Sequence, residues 1–209
     1  MRIDSLKTAP DRMGRFQTVL SDGTVFRLYR QTVEDFGLYG GKELSEEEYA
    51  GLKKAVGEMS AKMRAVRIIS ASAVSKGDLR HRLIQKGESP EDAGQAVAWL
   101  EEKDLVDDRQ TALQVVRSCA GKGYGIARAK QALYEKRIPK EYWQEALEDY
   151  PDQTERILSF LRARLDGGSD AKDVQRAVAA LVRRGHTYGQ IREALQQLSL
   201  ETEKIPEEE

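Results

Sequence analysis

Cysteine is almost missing from this sequence: Cys119 is the only one among 209 residues. No intramolecular disulfide can form, so the composition points to a reducing compartment. Cys119 itself reads as a small apolar residue on a helix. Histidine is nearly as scarce. His81 and His186 are the two present, and no His/Cys cluster accompanies them, which argues against a zinc centre. Both are expected on an exposed helix surface or in a loop. Aromatic residues make up only 7%. No apolar run approaches the roughly 20 residues of a membrane helix. The start, Met1-Arg2-Ile3-Asp4, has none of the layout of a secretory signal. Catalytic arrangements of serine, histidine and acid, of cysteine and histidine, or of paired carboxylates are also missing. These absences predict a cytoplasmic protein that is not an enzyme, with no membrane association, no metal and no cofactor. It reads as a monomer.

Charge is plentiful but balanced. Lys and Arg number 34 against 35 Asp and Glu, a formal net charge of −1. The total therefore does not signal a strongly basic nucleic-acid binder. The distribution is more telling. Residues 62–86 carry a net +6, 88–108 a net −7, 117–140 a net +6 and 141–155 a net −6. Such alternation arises either from solvated helix faces with compensating pairs or from an array with one basic and one acidic side.

The first 30 residues carry strand signals. Phe16 to Leu20 and Thr24 to Tyr29 are rich in β-branched and aromatic residues, with the turn dipeptide Asp22-Gly23 between them. Arg2 to Lys7 supplies a third strand, which a stable small sheet needs. Ser45-Glu46-Glu47-Glu48 is a capping box, after which Tyr49, Leu52, Val56 and Met59 share one helical face. From residue 61 the chain reads as helix, with a first stripe of Val66, Ile69 and Ala73. Ser75-Lys76-Gly77-Asp78 is a weaker cap. Ser89-Pro90-Glu91-Asp92 restarts a helix with a cap, a proline in its first turn and acids beside it.

A pattern then recurs. Leu83-Ile84-Gln85-Lys86-Gly87 aligns with Leu133-Tyr134-Glu135-Lys136-Arg137 and with Leu181-Val182-Arg183-Arg184-Gly185, at spacings of 50 and 48 residues. Each segment has one helix before it and one after it, so the chain holds three units of three helices. The fold class is mainly α, with tandem three-helix repeats behind a small N-terminal β-hairpin or sheet. The domains expected are residues 1–59 with the strands, repeats at about 60–107, 108–150 and 151–200, and an acidic disordered tail at 201–209. Gly121-Lys122-Gly123-Tyr124-Gly125 lacks the Gly-Lys-Ser/Thr of a phosphate loop and reads as an interhelical connection. Asp107-Asp108 reads as a helix cap. Trp99 and Trp143 read as packing residues, whereas Tyr124 and Tyr188, beside glycines, are better placed for exposure.

Asp78-Leu79-Arg80-His81-Arg82-Leu83-Ile84-Gln85-Lys86-Gly87 resembles the RecX family pattern of Glu-Leu-Arg, two residues, Leu, two residues, Lys-Gly. Leu105-Val106-Asp107-Asp108-Arg109 is similar to the family's Leu-Leu-Asp-Asp-Arg segment. Gly121-Lys122-Gly123 with Leu133 to Ile138 is similar to its second Lys-Gly-Ile block, and Gly41 to Ser45 to the stretch before the first repeat. The match covers residues 36–200. Thr111 and Arg137 depart from it, standing where the family has an aromatic residue and a glycine. The resemblance implies tandem repeats curved into an elongated module. It also implies binding to the RecA–DNA filament with suppression of ATP hydrolysis and strand exchange, without cofactor or catalytic residues. Single-stranded or duplex DNA would be met within that complex. The alternatives are a direct DNA-binding regulator built from helix-turn-helix-like units and a scaffold with protein partners only.

Aligning the units puts Lys86, Lys136 and Arg184 in one slot and Arg80 and Lys130 in a second. Equivalent slots of a repeat array form a row. These five cations are either a basic stripe for partner or DNA, or helix-end charges stabilised by the helix dipole by ~0.3–1 kcal/mol.

Overall fold

The alternating N-terminal segments form the expected sheet. The structure, a computed structural model, describes residues 1–165 and 169–203. Strands β1 (Ile3–Leu6), β2 (Arg15–Leu20) and β3 (Val25–Tyr29) make an antiparallel meander in the order β1-β2-β3. Gly23, at φ +82°, closes the β2–β3 hairpin, and the Asp22 carboxylate accepts from the Thr24 amide. Only a residue without a Cβ takes that φ at little cost. Phe16 faces Leu28 and Thr18 faces Phe26 in register, so the period-two alternation sends Leu20 and Leu28 inward beside Ile3.

A short helix α1 (Arg30–Asp35) leads to α2 (Glu46–Ala71). The capping box forms as read: the Ser45 hydroxyl accepts from the Glu48 amide, and the Glu48 carboxylate accepts from the Ser45 amide. Leu52, flanked by half-buried Tyr49 and Val56, completes the core under the sheet. α2 continues without a break through residue 59. Its second half packs Ala61 and Ala65 against Leu79 and Leu83 of α3 (Lys76–Gln85) and Ala93, Ala96, Val97 and Leu100 of α4 (Pro90–Glu101). Ala73 does not join the helical stripe. The helix ends at Ala71, extended Ser72 redirects the chain, and Ala73 is exposed. Residues Met1–Val74 and Asp78–Val106 form one compact unit.

The other unit comprises Ser75–Gly77 and the chain from Asp107. It holds α5 (Asp108–Gly121), α6 (Ile126–Glu135), a 3-10 turn (Lys140–Tyr142), α7 (Trp143–Glu148), α8 (Thr154–Arg162), α9 (Ala171–Arg183) and α10 (Tyr188–Glu203). Asp107 caps α5, accepting from the Arg109 and Gln110 amides, and Asp170 forms a capping box with Asp173 on α9. One core gathers Ala112, Val115, Val116, Leu133, Ile138 and Ala146. A second gathers Ile157, Leu158, Phe160 and Leu161 with Leu181 and Ile191. α10 takes in the first three residues of the segment expected as a tail; residues 204–209 lie outside the described residues.

The repeat is written most clearly in its helix ends. α3, α6 and α9 all stop in a Schellman motif. The amides of Glu88, Ile138 and His186 reach back to the carbonyls of Leu83, Leu133 and Leu181 at 3.1, 3.1 and 3.2 Å. The preceding residues, Gly87, Arg137 and Gly185, sit at φ +91°, +54° and +88°. Their amides bond to Ile84, Tyr134 and Val182. The motif satisfies carbonyls that the helix leaves open. It also places the three aligned leucines one turn before each stop, where all are buried.

Candidate partner-binding surface

The helix ends also form joints within the second unit. The lead-in Ser75–Gly77 lies on the end of α6: the Ser75 hydroxyl donates to the Lys136 carbonyl, and the Lys76 amide donates to the Asp108 carboxylate at 2.7 Å. A Cβ on Gly77 would stand 2.9 Å from the Arg137 carbonyl oxygen. The lead-in to α6 meets the end of α9 in the same way. The Gly125 amide donates to the Arg184 carbonyl at 2.9 Å, and the Ala127 amide to the Gly185 carbonyl at 3.3 Å. An N-terminal end thus meets a C-terminal end, which the helix dipoles favour.

His186 belongs to this second joint and is buried, at 4% exposure, not exposed as its sequence context suggests. The loop before α6 covers it. Its Nε2–H donates to the Gly123 carbonyl at 3.1 Å, while Nδ1 has no hydrogen-bond partner among the described residues. Burial pushes its pKa below the ordinary 6.5, with the Gly123 bond opposing and the Arg184 charge assisting. Tyr150 pins the same loop, donating its hydroxyl to the Tyr124 carbonyl at 2.6 Å. Burial pushes the Tyr150 phenol up to about 12.

The five cations of the aligned slots divide between the two units, Arg80 and Lys86 in the first and Lys130, Lys136 and Arg184 in the second. Arg80, on α3, is exposed, and its guanidinium donates to the Pro90 carbonyl at 3.5 Å. Lys86, just past α3, and Lys130, on α6, are exposed. Lys136 caps α6 and is half-buried. Arg184 caps α9, with its guanidinium 4.6 Å from the centre of the Phe160 ring, which Arg164 also covers at 3.9 Å. None of the five has a carboxylate within ion-pair distance among the described residues. Neighbouring cations do: Arg82 pairs with Asp78 at 2.8 Å, Arg128 with Glu135 at 3.0 Å and Arg109 with Glu145 at 2.5 Å. The Arg128 guanidinium holds Glu135 below the usual carboxylate range. Residues six apart on a helix are about 120° apart around it, so Arg80 is turned away from Lys86 around α3, and Lys130 from Lys136 around α6.

A feature the slot alignment overlooks adjoins Lys136. Tyr134, Arg137, Ile138, Pro139, Lys140 and Trp143 line a cleft of about 560 Å³. Tyr134 is 68% exposed. The sequence does hold a signal for it: an aromatic residue stands where the aligned units have Ile84 and Val182. Among the described residues there is no group of three or more His, Cys, Asp or Glu able to hold a metal ion, and no helix long and apolar enough to cross a membrane.

Three-helix units with a common cap on the middle helix, behind a small antiparallel sheet, define a helical-repeat protein. Residues 107–147 match the family model described as RecX, second three-helix domain. The chain is 30% identical over 140 residues to a regulatory protein RecX of Xanthomonas axonopodis pv. citri, covering 66% of this chain and 86% of that one. It is 29% identical over 133 residues to that of Chromohalobacter salexigens, covering 63% and 88%. A crystal structure of a regulatory protein RecX shares the fold, with a TM-score of 0.61 at 22% identity over 92% of this chain and 98% of that chain. The chain belongs to the RecX family.

Proposed function

We propose that the protein is a cytoplasmic, non-catalytic regulator that binds the RecA–DNA filament and lowers RecA's ATPase, recombinase and coprotease activities. The observation that carries this reading is family membership across about two thirds of the chain, among relatives named regulatory protein RecX. It acts as a monomer, with repeats at about 60–107, 108–150 and 151–200 behind residues 1–59. Arg80, Lys86, Lys130 and Lys136 bind phosphates or acidic RecA surface. Their lack of carboxylate partners supports this, because a paired cation must first break its own bridge. Arg184 contributes at lower strength, being held on Phe160.

The test is RecA's ATPase on single-stranded DNA with the full chain titrated in. The rate falls as the protein is added; an unchanged rate at stoichiometric protein overturns the reading. Replacing Lys86 and Lys136 by Gln weakens filament binding and lowers its salt slope by about 0.7–0.9 for each phosphate no longer neutralised. Sequence-selective binding to naked duplex without RecA favours the helix-turn-helix alternative instead.

A further inference from the structure

We infer that the cleft at the end of α6 is a binding site for single-stranded nucleic acid, with one base stacked on Tyr134 and the flanking phosphates on Arg137 and Lys140. The inference deepens the filament reading and rests on it for the presence of DNA.

Four observations converge. First, the cleft volume of about 560 Å³ lies within the range of small-ligand sites. Second, packing does not require the Tyr134 ring. It is exposed at a position where the aligned units manage with Ile84 and Val182, so the ring presents a face to solvent. Third, the cleft carries uncompensated positive charge. Arg137 and Lys140 have no carboxylate partner among the described residues, and the one acid lining the cleft, Glu135, is already engaged by Arg128 at 3.0 Å and Gln131 at 3.3 Å. Fourth, the floor is fixed. The Trp143 indole N–H donates to the Ile138 carbonyl at 3.0 Å, and Pro139 restricts the backbone beside it. An exposed aromatic ring beside free cations is the arrangement that holds a strand by stacking and by charge together. An acidic peptide would satisfy the cations but leave the ring without a matching face.

Arg137 supplies an unusually clean variant. It sits at φ +54°, so Arg137→Gly removes the charge while easing the backbone. A loss of binding in that variant is therefore not a loss of folding.

The experiment uses the full chain with Trp99→Phe, leaving Trp143 as the single tryptophan, and a labelled oligothymidylate of about a dozen nucleotides. Binding is read by anisotropy and by Trp143 fluorescence, without RecA. Addition of the oligonucleotide is expected to change the Trp143 emission. Tyr134→Leu weakens affinity on the order of tenfold, the size of one base stack, whereas Tyr134→Phe holds it. Arg137→Gly with Lys140→Gln lowers the salt slope by about 0.7 per cation removed. Unchanged affinity in Tyr134→Leu and an unchanged slope in the charge variant overturn the proposal. So does a polyglutamate peptide that binds as tightly as the oligonucleotide and depends on the same residues, which would make the partner an acidic protein. The RecA ATPase separates the two readings. If the wild-type chain lowers that rate but binds no oligonucleotide, this site falls and the filament reading stands. If Tyr134-dependent oligonucleotide binding occurs with the ATPase untouched, the filament reading falls and this site stands.

Discussion

The two joints of the second unit share a backbone arrangement and distribute their glycines differently across it. At the end of α6 the cap residue is Arg137, and the glycine is Gly77 in the lead-in. At the end of α9 the cap residue is Gly185, and the position aligned with Gly77 is Ala127. The distances show why. A Cβ on Gly77 would stand 3.2 Å from the Cβ of Arg137, whereas a Cβ on Gly185 would stand 2.3 Å from the Arg128 amide nitrogen. The α6 joint accommodates the Cβ of Arg137 but not one at Gly77, and the α9 joint accommodates none at Gly185. The α9 joint is the tighter, because Gly125 also leaves no space: its Cβ would lie 2.0 Å from the Gly185 carbonyl oxygen. Close approach of helix ends is therefore the shared requirement, and the location of the glycine is free to move across it.

The most damaging way to break this comparison is Gly125→Ala. The added methyl meets backbone, which cannot rotate away, so the cost is expected at about 3 kcal/mol or more. At about 2–4 °C per kcal/mol for a chain of this size, the melting temperature should fall by roughly 6 °C or more. A melt unchanged from wild type would mean that the α9 joint opens without penalty.

The looser joint gives a smaller and more informative effect. Gly77→Ala should cost about 1–3 kcal/mol by overpacking. Arg137→Gly alone should raise stability by about 1 kcal/mol, since it relieves a left-handed conformation that a side chain disfavours. In the Arg137→Gly background, Gly77→Ala should cost less than in the wild type, because one of the two facing Cβ atoms is gone. A thermodynamic cycle measures that coupling. Strict additivity would show that the two residues do not oppose each other.

His186 sharpens the comparison least in energy but most in specificity, because the α6 joint has no counterpart to it. Its folded pKa lies below the ordinary 6.5, so on acidification the unfolded chain takes up the proton first. Its contribution to stability is full above that ordinary value and is lost as the pH falls through the lower folded value. Melting temperature should decline between about pH 7.5 and 5.5, above the range where ordinary carboxylates titrate. His186→Asn, which cannot take up the charge, should flatten that slope. An equal slope in both proteins would assign the pH dependence elsewhere.

Much of the fold was legible because its signals are local. The caps at Ser45, Ser89 and Asp107 satisfy amides two or three residues away. The hairpin at Asp22-Gly23 closes within a single tight turn. Leu83, Leu133 and Leu181 align because each precedes its stop by a fixed part of one helical turn. Ala73 escapes a periodic reading because a helical period counts positions without detecting where the helix ends; nothing in Ser72 itself announces its extended backbone. The candidate site was legible only in part. Alignment of the units finds Lys86, Lys136 and Arg184 as equivalent positions. It does not reveal that the side chain of Arg184 is occupied by Phe160, or that Tyr134 opens on a cleft.

The sequence by itself determined which segments are strand and helix, where most helices start and stop, and that the units repeat, because capping and periodicity act within about one turn of the chain. Only the tertiary structure decided that His186 is buried and that Gly77 answers Arg137. Both depend on close approach between residues far apart in the chain, such as Ser75 with Lys136, 61 positions away, and His186 with Gly123, 63 away. Such meetings are settled by the available space and by the desolvation of groups that the sequence names without placing.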